Sequence, residues 1–122
     1  MLINLSNHPS EKWSTAQKNA AAIFGNIFDM PFPFVNPGWS TGEIIRLSVR
    51  YEDEIIRLLE CKASEHNAVH LMGELTLCFD LLKRLQKRGI TCIASTSERI
   101  VQEKGNTKTA EFVFCRFREY TS

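Results

Sequence analysis

The sequence predicts one α/β domain, a Rossmann-like or flavodoxin-like sandwich with a mainly parallel sheet and an antiparallel C-terminal edge strand. Three observations predict it. Short apolar runs alternate with amphipathic helical patterns, ending in two successive strands, and such alternation places parallel strands between helices. The first four strand segments are apolar runs, as in strands covered on both faces. The last segment, Ala110 to Phe117, alternates in character, which suits an edge. At 122 residues, 43% hydrophobic and 24% charged, the chain spans a single domain, residues 1–122, with enough apolar side chains for a core.

Met1 to Leu5 reads as a buried strand that runs into the polar loop "SNHPS". Ser14-x-x-Gln17 has the form of a capping box, and Ala16, Ala20, Ile23 and Phe24 follow at helical spacing up to Gly25. Asn26 to Asp29 reads as a second strand. Residues 30–39, "MPFPFVNPGW", carry three prolines and three aromatics, so they form a stiff loop, longer than such connections usually are. Ser40-x-x-Glu43 opens a long helix with Ile44, Leu47, Tyr51, Ile55, Leu58 and Leu59 on its apolar face. Ala68 to Met72 is the third strand. Leu75, Cys78, Leu81, Leu82 and Leu85 mark the next helix; basic residues complement its C-terminus and Gly89 follows it.

Ile90 to Ala94 is the fourth strand, with "STSER" read as the loop after it. Residues 100–109 fit either a short helix or a hairpin arm turning at Gly105-Asn106. In the last strand, alternation sets Phe112, Phe114 and Arg116 on one face and Val113, Cys115 and Phe117 on the other.

Composition excludes several functions. A net charge of +1 argues against broad binding to long nucleic acid, which needs a basic face, but leaves room for a small anionic ligand. No signal-peptide pattern opens the sequence, and no run approaches the ~18 apolar residues of a membrane span, so a cytoplasmic protein with no membrane partner is expected. Cys61, Cys78, Cys92 and Cys115 form no C-x-x-C pair and read as reduced, buried thiols. The glycine patterns of dinucleotide and P-loop sites are missing, as is a metal-like cluster, so no cofactor and no metal are expected.

In open α/β sheets, ligands bind outside the carboxyl ends of the strands, where strand order reverses. With the order 2-1-3-4, that point brings together Ser6, Asn7, His8 and Ser10 after the first strand and Gly73, Glu74 and Thr76 after the third. Ser95, Thr96, Ser97 and Arg99 follow the fourth. Hydroxyls and helix-start amides suit phosphate, and Arg99 can hold it bidentately. His8 can transfer a proton, and Glu74 can act as base or ribose contact. Gly73 reads as a residue that lets the backbone turn tightly. Each residue also has a plain structural use: Glu74 favours a helix start, Ser95 to Ser97 can form a turn, and His66 and His70 read as structural.

Four segments together, "SNHPSEKWSTAQ", "HLMGELT", "IASTSER" and "FVFCRFREY", resemble small accessory proteins of type III CRISPR systems with a domain like the CRISPR-associated Rossmann fold. In that likeness His8 and Gln17 stand for a histidine and glutamine after the first strand. Gly73-Glu74 stands for a Gly-Asp turn, Ala94 to Arg99 for an Ala-Thr-Thr-x-Arg segment, and Phe117-Arg118-Glu119-Tyr120 for a closing Phe-Arg-x-Tyr. The resemblance implies a homodimer that binds cyclic oligoadenylate, a signal of type III immunity, and in several such proteins linearises it as a ring nuclease that ends the response. His8, Glu74 and Arg99 are then the catalytic candidates. Arg118 joins the ligand contacts, and Trp39 or Phe32 would stack adenine. Two other readings stay open: a non-catalytic sponge for the same ring, and a mononucleotide-binding enzyme of flavodoxin-like form.

Overall fold

The computed structural model describes residues 1–61 and 66–122. Its strands are β1 (Leu2–Ser6), β2 (Ile27–Pro31), β3 (Ala68–Met72), β4 (Thr91–Lys104) and β5 (Thr107–Glu119). Its α-helices are α1 (Thr15–Ala21), α2 (Thr41–Cys61) and α3 (Leu75–Lys87), with short 3-10 turns at Ser10–Lys12 and Ala22–Phe24. The sheet order is β2-β1-β3-β4-β5, with β1, β2, β3 and β4 parallel and β5 antiparallel at the edge. The chain thus leaves β1 to one side for β2 and returns to the other side for β3, the reversal expected from the sequence.

Side chains alternate across each strand, and this builds two cores. Ile3 and Leu5 of β1 and Val69 and Leu71 of β3 point to one face, where Ile55 and Leu59 of α2 and Leu81 and Leu85 of α3 cover them. The buried positions of α2, Ile44, Ser48, Glu52, Ile55 and Leu59, fall at helical spacing, and so do Leu77, Leu81 and Leu85 of α3. Glu52 is buried against α3, with Arg88 Nε at 2.9 Å and Arg84 at 3.8 Å. On the other face Leu2, Ala68 and Ile93 meet Trp13, Ala21, Phe24 and Phe117 in a smaller core.

The sequence reading needs four corrections here. Ser95 to Arg99 do not form a loop; they continue β4. β4 pairs with β3 only as far as Ile93, and beyond that it runs with β5 as a two-stranded ribbon closed at Gly105. The partner of "STSER" lies some twenty residues downstream, out of reach of local turn propensity; Thr96 Oγ1 bridges to it, donating to Arg116 O at 2.9 Å. Residues 100–109 accordingly form the hairpin arm and not a helix.

Second, the strand register slips at Thr96/Ser97, whose partners are Arg116 and Phe114, so Cys115 bulges out. The bulge resets the alternation and brings Phe117 to the face of Phe114, 5.1 Å away between ring centroids, instead of the opposite face.

Third, Gly73 is absent from the glycines with positive φ. Its reason is packing: a Cβ there would run into the ring of Phe32, which lies over the β3–α3 joint. Fourth, only Cys92 is buried and Cys78 half-buried; Cys61 ends α2 on its outer side and Cys115 sits in the bulge, both exposed. Burial pushes the Cys78 thiol up to about 11 and Cys92 up to about 12, so neither is a ready nucleophile.

No helix among the described residues is long and apolar enough to cross a membrane.

Candidate functional site at the carboxyl edge of the sheet

The strand β1 reads Leu-Ile-Asn-Leu-Ser, so alternation puts two polar side chains, Asn4 and Ser6, on the face opposite Ile3 and Leu5. His70 of β3 is the register partner of Asn4 and shares its face. All three are buried, and buried polar groups require partners. They find them in one another.

Asn4 Nδ2 donates to Asp29 Oδ1 at 2.8 Å and to the His8 carbonyl at 2.9 Å. Both partners only accept, which fixes the Asn4 amide orientation. Asn4 Oδ1 therefore accepts from Ser6 Oγ at 2.8 Å and faces His70 Nδ1 at 2.8 Å. An amide oxygen cannot donate, so Nδ1 carries the His70 proton. His70 Nε2 is left as an acceptor, and Ser95 Oγ, 2.7 Å away, donates to it. Gln17 Nε2 completes the chain by donating to Ser95 Oγ at 2.9 Å. The Gln17 backbone N–H caps on Ser14, as the capping box predicts, but its side chain leaves the box and reaches across to β4.

The rings of Trp13 and Phe117 meet His70 edge-on, with centroids at 5.3 and 5.7 Å. This apolar casing holds His70 neutral: desolvation, then the nearby His8, lower its pKa to about 4. At the other end, burial works to raise the Asp29 pKa, but hydrogen bonds from Asn4 and Ser10 outweigh it and hold the carboxyl below its ordinary range. Ser10 contributes both its N–H, at 3.0 Å, and its hydroxyl, at 2.7 Å.

The chain ends in solvent-open space. A cavity of ≈ 240 Å³ is lined by His8, His70 and Ser95 on its polar side and by Trp13, Phe112 and Phe114 on its aromatic side, with Gln17, Met72, Thr96 and Ser97 around them. A second cavity of ≈ 260 Å³ lies across β1, with Asn7, Asp29 and Phe32 among its walls. Both open at the carboxyl edge, where the strand order reverses.

The structure thus gathers part of the expected set. His8, Ser95, Thr96 and Ser97 share the first cavity; Ser6 and Asn7 line the second. Ser10 is occupied with Asp29. Arg99 stands across from Phe112 in the ribbon and, by alternation from Ser95, on the same face, one step further out.

Arg118, Trp39, Gly73 and Glu74 line neither cavity. Arg118 pairs with Ala94 and so belongs to the opposite face. Trp39 packs edge-on against Phe34, beside a separate cavity lined by Glu43, Arg46, Leu47 and Arg50. Gly73 makes room for Phe32.

Glu74 is the N-cap of α3. Its carboxylate accepts from Thr76 N at 3.0 Å, Leu77 N at 2.8 Å and Thr76 Oγ1 at 2.7 Å, which also occupies Thr76. Burial works to raise its pKa, yet these bonds, led by Leu77, hold it below the ordinary value. That makes it a poor base. Glu74→Ala is expected to cost about 1 kcal/mol, the usual worth of an N-cap, while Glu74→Asp costs less. A urea midpoint unchanged in the alanine variant would contradict the capping role.

The residues that sequence reasoning passed over are Asn4, Asp29, Trp13, Phe112 and Phe114, with His70 taken as structural. One signal was present: polar Asn4 and Ser6 interrupt a supposedly uniform apolar strand at a spacing of two.

No curated protein and no solved structure matches this chain. A family model does match, over residues 1–118, and its description reads "Uncharacterized protein MJ1673 family". With nearly the whole chain inside that match, β1 to β4 complete and β5 short of its last residue, the protein belongs to the MJ1673 family.

Proposed function

We propose that the chain binds cyclic oligoadenylate across the carboxyl edge of its sheet and linearises it, as a ring nuclease that ends type III CRISPR signalling. The observation that supports this reading best is the paired polar chain from Asp29 to Ser95, which opens into an aromatic-walled cleft. Such a cleft offers what a nucleotide needs: rings for the base and hydroxyl and imidazole groups for ribose and phosphate. Phe112, 69% exposed, and Phe114 take the stacking role first given to Trp39.

The reaction needs no added nucleophile, because a ribose 2′-OH attacks its own adjacent phosphate. The protein has to align that oxygen with the departing 5′-oxygen and offset the growing negative charge. His8 lies at the cleft and Arg99 further along the same face, in reach of the charge. Each cavity is smaller than the ~300–1,000 Å³ of a pocket that encloses a whole drug-sized ligand. One cavity therefore holds a nucleotide-sized piece, and a ring would lie across the edge of two copies, consistent with a homodimer.

The test is a single-turnover assay with excess protein, radiolabelled cyclic tetra-adenylate and EDTA. Linear products ending in a 2′,3′-cyclic phosphate are expected, with His8→Ala slowing cleavage more than it weakens binding. Intact ring recovered from a tight complex would leave a sponge in place of an enzyme. Failure to bind the ring at all would remove both.

A further inference from the structure

We propose that Ser95 and His70 form a proton relay that serves as the general base of this site, with Asn4 and Asp29 setting the tautomer. The inference rests on the ring-cleavage reading for its substrate, but its geometry stands apart from that reading.

Three features support it. First, the acceptors around Asn4 fix its amide, and the amide fixes His70 with Nδ1 protonated and Nε2 bare, as derived above. Second, the bare nitrogen points along the sheet at Ser95 Oγ, 2.7 Å away, and Ser95 lines the cleft. The base therefore reaches the ligand through one hydroxyl and stays shielded by Trp13 and Phe117. Third, Gln17 donates to the same Oγ at 2.9 Å. That bond steadies the oxygen as its proton shifts towards His70.

The ribose 2′-OH gives its proton to Ser95 Oγ while Ser95 passes its own to His70 Nε2, forming an imidazolium. The 2′-oxygen bonds to phosphorus, and the bond from phosphorus to the 5′-oxygen breaks. The leaving oxygen takes a proton from protonated His8, and solvent restores both imidazoles. The groups that face His70 are His8 from the loop after β1, Asp29 of β2 through Asn4, Ser95 of β4, Phe117 of β5, and Trp13 and Gln17 from the α1 segment. Of these, His8 and Asp29 are the groups that can carry charge. A phosphate entering the cleft offsets the repulsion from His8 and makes His70 a stronger base when ligand is bound.

The experiment pairs pH–rate profiles with a spectrum. Cleavage of cyclic tetra-adenylate is followed under saturating single-turnover conditions from pH 3.5 to 9 for wild type, Ser95→Ala and Gln17→Glu. Two-bond 15N–1H spectra of the ring-free protein report the His70 tautomer. Ser95→Ala should lower the rate by ~100-fold or more, the scale of a lost general base, with a smaller loss of affinity. Gln17→Glu, at a half-exposed position that tolerates charge, sets a carboxylate beside the dyad and should move the acid limb up by about one pH unit. A purely structural His70 would leave that limb in place. The spectrum should show the Nδ1–H form.

An unmoved limb in Gln17→Glu, wild-type cleavage by Ser95→Ala, or an Nε2–H spectrum would each overturn the relay. If wild type leaves the ring intact at every pH, the cleavage reading falls and the relay loses its reaction with it. A cleaving wild type whose variants behave alike defeats the relay alone.

Discussion

Trp13→Ala is expected to lower stability by about 3–5 kcal/mol, the usual cost of deleting a buried aromatic side chain. Trp13 is only 6% exposed, although it sits in the short link between a 3-10 turn and α1. Its ring fills the smaller core, edge-on to His70 and tilted against Phe117 at 5.9 Å. Its Nε1 donates to the His8 carbonyl at 3.1 Å, the same oxygen that accepts from Asn4. Truncation thus removes apolar contact, opens a cavity on His70 and loosens the loop that presents His8. Trp13→Phe keeps a six-membered ring in the core but loses the pyrrole ring and its hydrogen bond, so a smaller loss of about 1–3 kcal/mol is expected. Urea unfolding of the two variants separates the terms. A loss below ~1.5 kcal/mol for Trp13→Ala would mean that the link does not hold the site together.

The second large effect is a dependence of stability on pH. His70 is neutral when buried and its pKa falls to about 4, whereas an unfolded histidine titrates near 6.5. Between these values the unfolded chain binds the extra proton and the folded chain does not. Stability therefore rises with pH across that window. Read downwards, the contribution is complete above pH ~6.5, fades as pH falls, and is gone below pH ~4. A shift of this size corresponds to about 3 kcal/mol at 1.36 kcal/mol per pH unit. Carboxylates add their own losses at the acid end, so the comparison is with His70→Gln, which cannot titrate. Subtracting its unfolding curve from that of wild type should isolate a slope confined to pH 4–6.5. Parallel curves across that interval would show that His70 titrates normally and that its casing is wet.

The layout of the fold was readable because it rests on local periodicities. The apolar faces of α2 and α3 repeat every three or four residues, and Gly89 follows α3 with a positive φ of 75°. β3 matches its predicted bounds at both ends. The ribbon was readable only in part: a hairpin turning at Gly105-Asn106 was one of two readings, but the pairing of Ser97 with Phe114 is a long-range choice that no window of sequence displays. The site was half readable. Topology alone placed His8, Ser95 and Ser97 at one edge. The centre of the network was hidden because Asn4 and His70 lie in runs that look like plain core strand, and only register makes them neighbours. Glu74 misled in the other direction. An acid after a glycine resembles a reacting group, yet three donors close by turn it into a cap.

The spacing of the network along the chain also sets an order of assembly. The ribbon joins neighbours across one tight turn at Gly105, and hairpins of this kind close in roughly 1–10 μs. Asn4 and His70 are 66 residues apart, and their strands are parallel, so they meet only after the intervening chain has collapsed and α2 has found its seat. Ser95 and Gln17, 78 residues apart, close the far end of the same network. In refolding, the imidazole should therefore lose its ordinary titration late, well after the hairpin signal has appeared. Its protonation state then acts as a clock for the arrival of native topology.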